Sequence, residues 1–397
     1  MSKENNITIR KINSFDDFDL IKEDWIKLKK DYDSGNIYAD PDFFSKMFAT
    51  RATDNSKPHI VLFKKNNNAI AIIIGWINPN YITTCWVGYF KLKSPPLVCY
   101  EIENNGIITD GREETQNIVC NYLKSKMQKK EIQLFSFNHL SSQNKIWKKL
   151  FDENALNKKL VYRKSVNWKT ILINKDTGEK NQIHSKRTMK KLNRKGKKFL
   201  SSFDNDVEIK IIKNESEIDK FIKEAELITK NSYQFLIDVG VKNNEYWKKA
   251  LTNLAEGNYF RAYMLYVKGT PVAYCMGALY EKTLFLFATG FNFQYKNYSP
   301  GEYLRYQLID KLADKGIQAI DYGYGDAIYK QRCGTEFLEE ASIRVYGKGN
   351  LAFLSSKIDN FLIHTCAEFF EKLRYFDFFY EIKALWKQNL IKKSAGY

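Results

Sequence analysis

Two short stretches of the chain concentrate residues that could do chemistry. The first runs Ile320-Asp321-Tyr322-Gly323-Tyr324-Gly325-Asp326-Ala327-Ile328-Tyr329-Lys330-Gln331-Arg332-Cys333-Gly334. Its apolar start reads as a strand, and Gly-x-Gly lets the backbone turn sharply and approach a ligand. Asp326 reads as the N-cap of a following helix, with Tyr329 and Lys330 in its first turn. Acids, phenols and cations at the carboxyl end of a strand are where α/β sheets place their sites; a plain strand-to-helix turn carries the same punctuation. The second stretch is Ser299-Pro300-Gly301-Glu302. Ser299 suits the N-cap, Pro300 the first helical position, and Glu302 closes a capping box. Leu304, Leu308 and Leu312 give that helix its buried face. A helix start with a glycine beside it offers backbone N–H groups to an anion, and a well-capped helix without a ligand reads the same way.

Other chemistries are excluded by what the chain lacks. Cys85, Cys99, Cys120, Cys275, Cys333 and Cys366 are scattered with no CxxC, and His59, His139, His184 and His364 are equally dispersed. No HExxH or GxSxG occurs, so no metal site, disulfide framework or Ser/Cys hydrolase is expected, and a reducing cytoplasm fits. The longest apolar run, Ala69 to Ile77, falls far short of the roughly 20 residues a membrane span needs, and the opening Met-Ser-Lys-Glu-Asn-Asn is no secretory signal. The 63 Lys+Arg against 46 Asp+Glu give +17 over 397 residues, and eight of those cations with no acid lie between Ile183 and Lys198. That block steers phosphates by Coulomb attraction or forms a solvated helix face.

The elements that must position these residues repeat along the chain. Ile7 to Ile12 alternates as a strand and leads through acids into a helix with Phe18, Ile21, Trp25 and Leu28 on one face. Val207 to Ile212 does the same ahead of Ile218, Phe221, Ile222, Ala225 and Ile228. Each copy continues with a short aromatic helix (Phe43, Phe44, Phe48; Tyr246, Trp247) and a hairpin (His59 to Phe63 with Ala69 to Ile77; Tyr259 to Val267 with Val272 to Leu279). Lys130-Glu-Ile-Gln-Leu-Phe135 then mirrors Lys315-Gly-Ile-Gln-Ala-Ile320. The first copy carries about fifteen extra residues, placed around Tyr81 to Asn105. The order β-α-α-β-β-β-α-β predicts two tandem α/β units with mixed sheets. The expected divisions are residues 1–175, a basic linker helix over 176–203, a second domain over 204–348, and a helical tail over 349–397. Tail aromatics including Phe361, Phe369 and Trp386, interleaved with cations, read as packing on the second domain or as an interfacial anchor.

Ser299-Pro300-Gly301, followed some twenty residues later by Asp-Tyr-Gly-x-Gly-Asp-x-x-Tyr-Lys-x-Arg, resembles the CelD-like (cellulose-biosynthesis-type) acyltransferases of the GNAT superfamily. These are double-GNAT relatives of the FemAB aminoacyltransferases. Trp25 ahead of Pro41-x-Phe43 and the basic helix near Ser185-Lys-Arg extend the likeness over most of residues 1–348. The resemblance implies acetyl-CoA or another acyl-CoA bound by the second unit. Lys296-Asn-Tyr-Ser299-Pro300-Gly301 takes the place of the Arg/Gln-x-x-Gly-x-Gly/Ala diphosphate loop, with Gly301 the matching glycine and Tyr303 closing the turn. The strand carrying Phe287 and Ala288 would bond the pantetheine amides across a splayed pair. Tyr329 resembles the tyrosine that protonates the leaving thiolate. Asp326 would orient or deprotonate the acceptor, or simply cap its helix, and Asp321, Tyr324, Lys330 and Arg332 are placed at the substrate. The implied reaction is transfer of an acyl group to an amine of a sugar, glycan precursor or amino acid. Two alternatives stand beside it: a FemAB-like transferase using aminoacyl-tRNA held by the basic helix, and a non-catalytic accessory of polysaccharide synthesis. The expected location is cytoplasmic, with a peripheral position at the inner membrane surface also open.

Overall fold

A computed structural model describes residues 7–33, 35–52, 56–87, 90–151, 159–230, 240–325 and 327–361. The chain divides into two compact units, and one segment of the first breaks the chain order: residues 338–361 belong with it, while 167–337 form the second.

The first unit contains β1 (Ile7–Ile12), α1 (Lys22–Tyr32), α2 (Pro41–Phe48), β2 (Lys57–Lys65), β3 (Asn68–Tyr81), the hairpin β4 (Thr84–Val87) and β5 (Phe90–Lys93), β6 (Leu97–Thr109), α3 (Glu113–Gln128), β7 (Leu134–Ser141) and α4 (Trp147–Phe151). The strand β8 (Lys159–Ile171) leads on to the second unit: α5 (Lys186–Ser201), β9 (Val207–Ile212), α6 (Ile218–Lys230), α7 (Glu245–Glu256), β10 (Phe260–Val267), β11 (Thr270–Tyr280), β12 (Thr283–Phe291), α8 (Pro300–Asp314), β13 (Ala319–Tyr324) and α9 (Ile328–Cys333). Then β14 (Glu336–Tyr346) and α10 (Asn350–Asn360) return to the first unit.

The strands of the two units repeat one plan. In the first, β1-β2-β3-β6-β7-β14 are neighbours, and in the second β9-β10-β11-β12-β13-β8. All pairs are antiparallel except β6 with β7 and β12 with β13, which are parallel and joined through α3 and α8. The expected insertion in the first copy is the β4–β5 hairpin, which occupies part of residues 82–96 where the second copy has only 281–282. Burial follows the period-2 pleat. Ile60, Leu62, Ile72 and Ile74 pack with Trp25, Phe44 and Trp76 on one face of the first sheet, while Val61, Phe63 and Ile73 pack with Val119, Phe135 and Phe137 on the other. In the second unit Leu304, Leu308 and Leu312 of α8 join Leu265, Cys275, Leu284 and Ile320, as the helix periodicity requires.

Each unit also contains a backbone approach along its sheet that admits no side chain. A Cβ at Gly75 would lie 2.1 Å from the Glu101 carbonyl oxygen, and one at Gly277 would lie 1.8 Å from that of Phe285. Both glycines sit where the strand register shifts. On β12 the shift passes from Met276↔Ala288 to Gly277↔Leu286, so Phe287 is the extra residue of a β-bulge. Described residues of the expected tail form α10, which ends at Asn360; its further aromatics, Phe369 and Trp386 among them, lie outside the described residues.

Candidate functional site

The bulge at Phe287 bends β12 away from β13. The parallel pair holds for three residues only, Thr283↔Ala319, Leu284↔Ile320 and Phe285↔Asp321. Beyond it β12 runs to Phe291 and β13 to Tyr324, and the two strands splay. Leu286, Phe287, Ala288 and Thr289 are half-buried there, in a strand whose earlier residues are buried. Gly323, at φ +66°, keeps the opposite wall low: a Cβ on it would stand 3.6 Å from the Leu286 carbonyl oxygen. An opening between two parallel strands, edged by peptide groups, can hold an extended amide-bearing ligand by strand-like bonding.

Two residues expected at the substrate hold this opening from inside instead. The Asp321 carboxylate is buried, accepts the Gly323 N–H at 2.8 Å and pairs with Lys169 at 3.2 Å. Lys330 is also buried, and its ammonium donates to the carbonyls of Gly323 at 3.1 Å and Tyr324 at 2.6 Å. The strand end leaves carbonyls that a long donor from the following helix can reach, and Lys330 is committed to them. Tyr324, 59% exposed, and the exposed Arg332 are on the surface. The N-cap of α9 is Ala327, one residue after the position expected, and it makes no side-chain cap bond. Asp326 itself lies outside the described residues.

Tyr329 sits in the first turn of α9, its ring edge-on to Tyr322 with centroids 6.4 Å apart. Burial raises its phenol above the ordinary value, while the Thr289 hydroxyl on β12 and the charge of Arg305 pull the other way. The phenol therefore keeps its proton at neutral pH, on the side of α9 that faces Thr289 of the bulged strand. Behind it the Thr170 hydroxyl lies 2.8 Å from the Tyr322 hydroxyl and donates to the Cys333 carbonyl at 2.6 Å. This network sets where α9 docks.

The start of α8 departs from the expected capping box. Pro300 does occupy the first helical position, but Ser299 is left-handed (φ 53°) and its side chain makes no cap bond. It joins a 3-10 turn over Phe293–Tyr298 to the helix, and that junction turns the hydroxyl out of reach. Glu302 does not fold back either; its carboxylate pairs with Lys195 of α5 at 2.6 Å. The Ser299 N–H is given to the Lys296 carbonyl, and those of Glu302 and Tyr303 to the Ser299 carbonyl, so the Tyr303 amide is not a free donor. The Lys296 ammonium lies over the Phe293 ring at 4.5 Å. The Tyr303 ring stacks on Phe199 at 4.4 Å. A groove of about 210 Å³ runs between α5 and this turn, walled by Lys195, Gly196 and Lys198 on one side and Ser299, Glu302 and Tyr306 on the other.

The equivalent opening in the first unit is closed by protein. Past Ile102↔Phe137, the Asn105 side chain accepts the Ser141 N–H at 2.6 Å, and Asn144 donates to the Ile107 carbonyl at 3.0 Å. Glu101 and Glu103 bring two buried carboxylates to the same edge, where Arg51 bonds them at 2.9 and 2.8 Å. Glu113 and Glu114 occupy the first turn of α3. Side-chain amides fill the gap, and acids stand where a diphosphate would lie.

Sequence reasoning missed Arg305 and Thr289. Arg305 had a signal: a cation four residues after Gly301, beside the buried positions of Leu304 and Leu308. Thr289 had none, because only the splay brings it to Tyr329.

The tandem α/β architecture and the splayed strands are those of the GNAT fold, present twice. Residues 186–331 match the family model of the acetyltransferase (GNAT) domain, which spans α5 through the first turn of α9. Among solved structures, the chain is similar to FemX with TM-score 0.58 at 9% identity, over 88% of this chain and 100% of that one. It is likewise similar to a tandem GNAT protein from the clavulanic acid biosynthesis pathway, with TM-score 0.51 at 9% identity over 87% and 100%. No curated protein matches the sequence. The chain has a tandem GNAT fold, and the stretch that matches the acetyltransferase (GNAT) domain model lies in its second unit.

Proposed function

We propose that this chain is an N-acyltransferase of the CelD-like type, moving an acyl group, acetyl in the simplest case, from acyl-CoA to an amine on a sugar, glycan precursor or amino acid. The observation that carries it is that β12 and β13 stop pairing after Phe285↔Asp321, where in the first unit the Asn105 side chain bridges the same place, with the Tyr329 phenol, kept protonated by burial, on the helix that follows β13. The peptide edge at Leu286 to Thr289 would hold the pantetheine arm, and Gly323 puts no side chain against the Leu286 carbonyl. The Gly301 N–H, to which the described residues give no acceptor, would take a phosphate oxygen at the start of α8. Acyl-CoA supplies an activated thioester. The chain's own part is to orient that carbonyl, exclude water, and deliver the Tyr329 proton to the sulfur as the amine nitrogen bonds the carbonyl carbon and the C–S bond breaks. Asp326 remains the residue we assign to the acceptor.

A second reading, FemAB-like use of aminoacyl-tRNA, is favoured by one observation. The eight cations of the basic block all lie on α5 and are exposed, and among the described residues only Lys195 is in an ion pair. No helix among the described residues is long and apolar enough to cross a membrane, and we place the protein in the cytoplasm. Thermal-shift screening of acyl-CoAs against the full chain, with tRNA in parallel, tests both. Stabilisation by a coenzyme thioester at concentrations above its Kd supports transfer from CoA. A shift by tRNA alone, lost steeply with salt, replaces it with the second reading.

A further inference from the structure

Arg305 lies one turn into α8. Its guanidinium reaches back toward the helix start, as helical side chains do: a Cβ on Gly301 would be 3.5 Å from its Nη1. Its guanidinium carbon stands 4.5 Å from the centre of the Tyr329 ring. Its Nε is removed from solvent and has no hydrogen-bond partner. Among the described residues no carboxylate lies within ion-pair distance of it, and Glu302 on the same helix is held by Lys195. The other titratable groups around it are Tyr329 and Cys333 of α9, Tyr322 of β13 and Cys275 of β11, each raised by burial and therefore neutral. A buried donor left unmade is costly, more so when charged, and stacking on Tyr329 offsets only part of that cost. Arginine cannot shed its proton to escape this cost. An acceptor from outside the chain completes the site.

We propose that Arg305 is a catalytic residue that receives the negative charge developing on the thioester beside Tyr329, on the departing sulfur above all. This rests on the transferase reading. In the step, the amine lone pair forms the N–C bond and the C–S electron pair passes to sulfur. The Tyr329 O–H proton neutralises that sulfur, and the proton left on nitrogen goes to solvent. Arg305 keeps its protons and contributes a fixed charge in a site of low dielectric, where preorganised electrostatics act most strongly. The same guanidinium could instead meet the coenzyme's diphosphate near Gly301. Its position over Tyr329 favours the sulfur end.

The test needs only the full chain and CoA, followed by ultraviolet absorbance of the bound thiolate as pH is raised. In the wild type the bound thiol should titrate below free CoA. Arg305→Gln should reduce the thiolate fraction at a fixed pH about tenfold, a shift of about one pKa unit, and Arg305→Lys should fall between, with circular dichroism confirming the fold of each. If Arg305→Gln titrates like the wild type, the proposal is overturned. It is equally overturned if Arg305→Gln weakens CoA and adenosine 3′,5′-bisphosphate by the same factor with the thiol unchanged, which assigns Arg305 to the phosphates. Failure of the wild type to bind CoA at all is a separate outcome and removes the transferase reading along with it.

Discussion

Replacing Gly277 by alanine tests whether the bulge that opens the site depends on a close backbone approach. The added Cβ would sit 1.8 Å from the Phe285 carbonyl oxygen and 2.9 Å from the Leu286 Cα. Both obstacles are backbone, so no rotamer change relieves them. The strands must separate where β11 meets β12, stretching ladder hydrogen bonds worth about 1 kcal/mol each, on top of the 1–3 kcal/mol typical of overpacking. A loss of at least about 3 kcal/mol is expected. Gly269 supplies the control: it sits at φ +72° in the β10–β11 turn with nothing within 4 Å of its Cβ position. Alanine there should cost only the left-handed backbone term, about 1–2 kcal/mol. Urea unfolding of the two variants, read by intrinsic fluorescence, gives both numbers. A Gly277→Ala protein within about 0.5 kcal/mol of wild type, the range of an ordinary surface change, would refute the close approach and with it this account of the splay.

Tyr329→Phe should bind coenzyme as the wild type does and lose about 10²–10⁴-fold in transfer rate, the worth of a positioned acid, measured by thiol release. Unchanged turnover would remove Tyr329 from the mechanism. His59, buried with its Nδ1 2.5 Å from the Asn13 side-chain oxygen, has its pKa lowered to about 4, mainly by burial and then by Lys11 and Lys126. The folded value lies below the unfolded one of about 6.5, so the unfolded state binds the extra proton. Stability should hold above pH 6.5 and fall between there and pH 4, by about 3 kcal/mol at most. His59→Gln should flatten that slope in urea titrations at several pH values. Charge reversal at Lys186, Lys190 and Arg194 together should leave CoA binding intact and abolish any tRNA retention on filters. If retention persists at the same salt dependence, α5 is not the contact.

Much of this architecture was legible before any coordinates. The period of 2 in Ile60 to Phe63 and of 3.6 in Leu304, Leu308 and Leu312 encodes which face is buried, because burial acts locally on each element. The duplicated element order and the insertion near Tyr81 follow from the same reading. The chemistry of α9 was partly legible, since Tyr329 stands in the first turn expected for it. What Lys330 and Asp321 bond to was not legible, because composition shows that a charge is present and not what it faces. Lys330 caps two carbonyls of its own strand end, and Asp321 holds the Gly323 amide.

By itself the sequence determined two α/β copies, the helix start at Pro300 and the tyrosine at position 329, each set by neighbours within a few residues along the chain. Only the tertiary structure decided that β14 returns to the first unit, that Asn105 and Asn144 bridge the end of its parallel pair, and that Arg305 meets Tyr329 with a donor unspent. These depend on contacts between residues far apart in sequence, where a one-residue bulge or a single glycine redirects a whole strand and no local pattern records the partner.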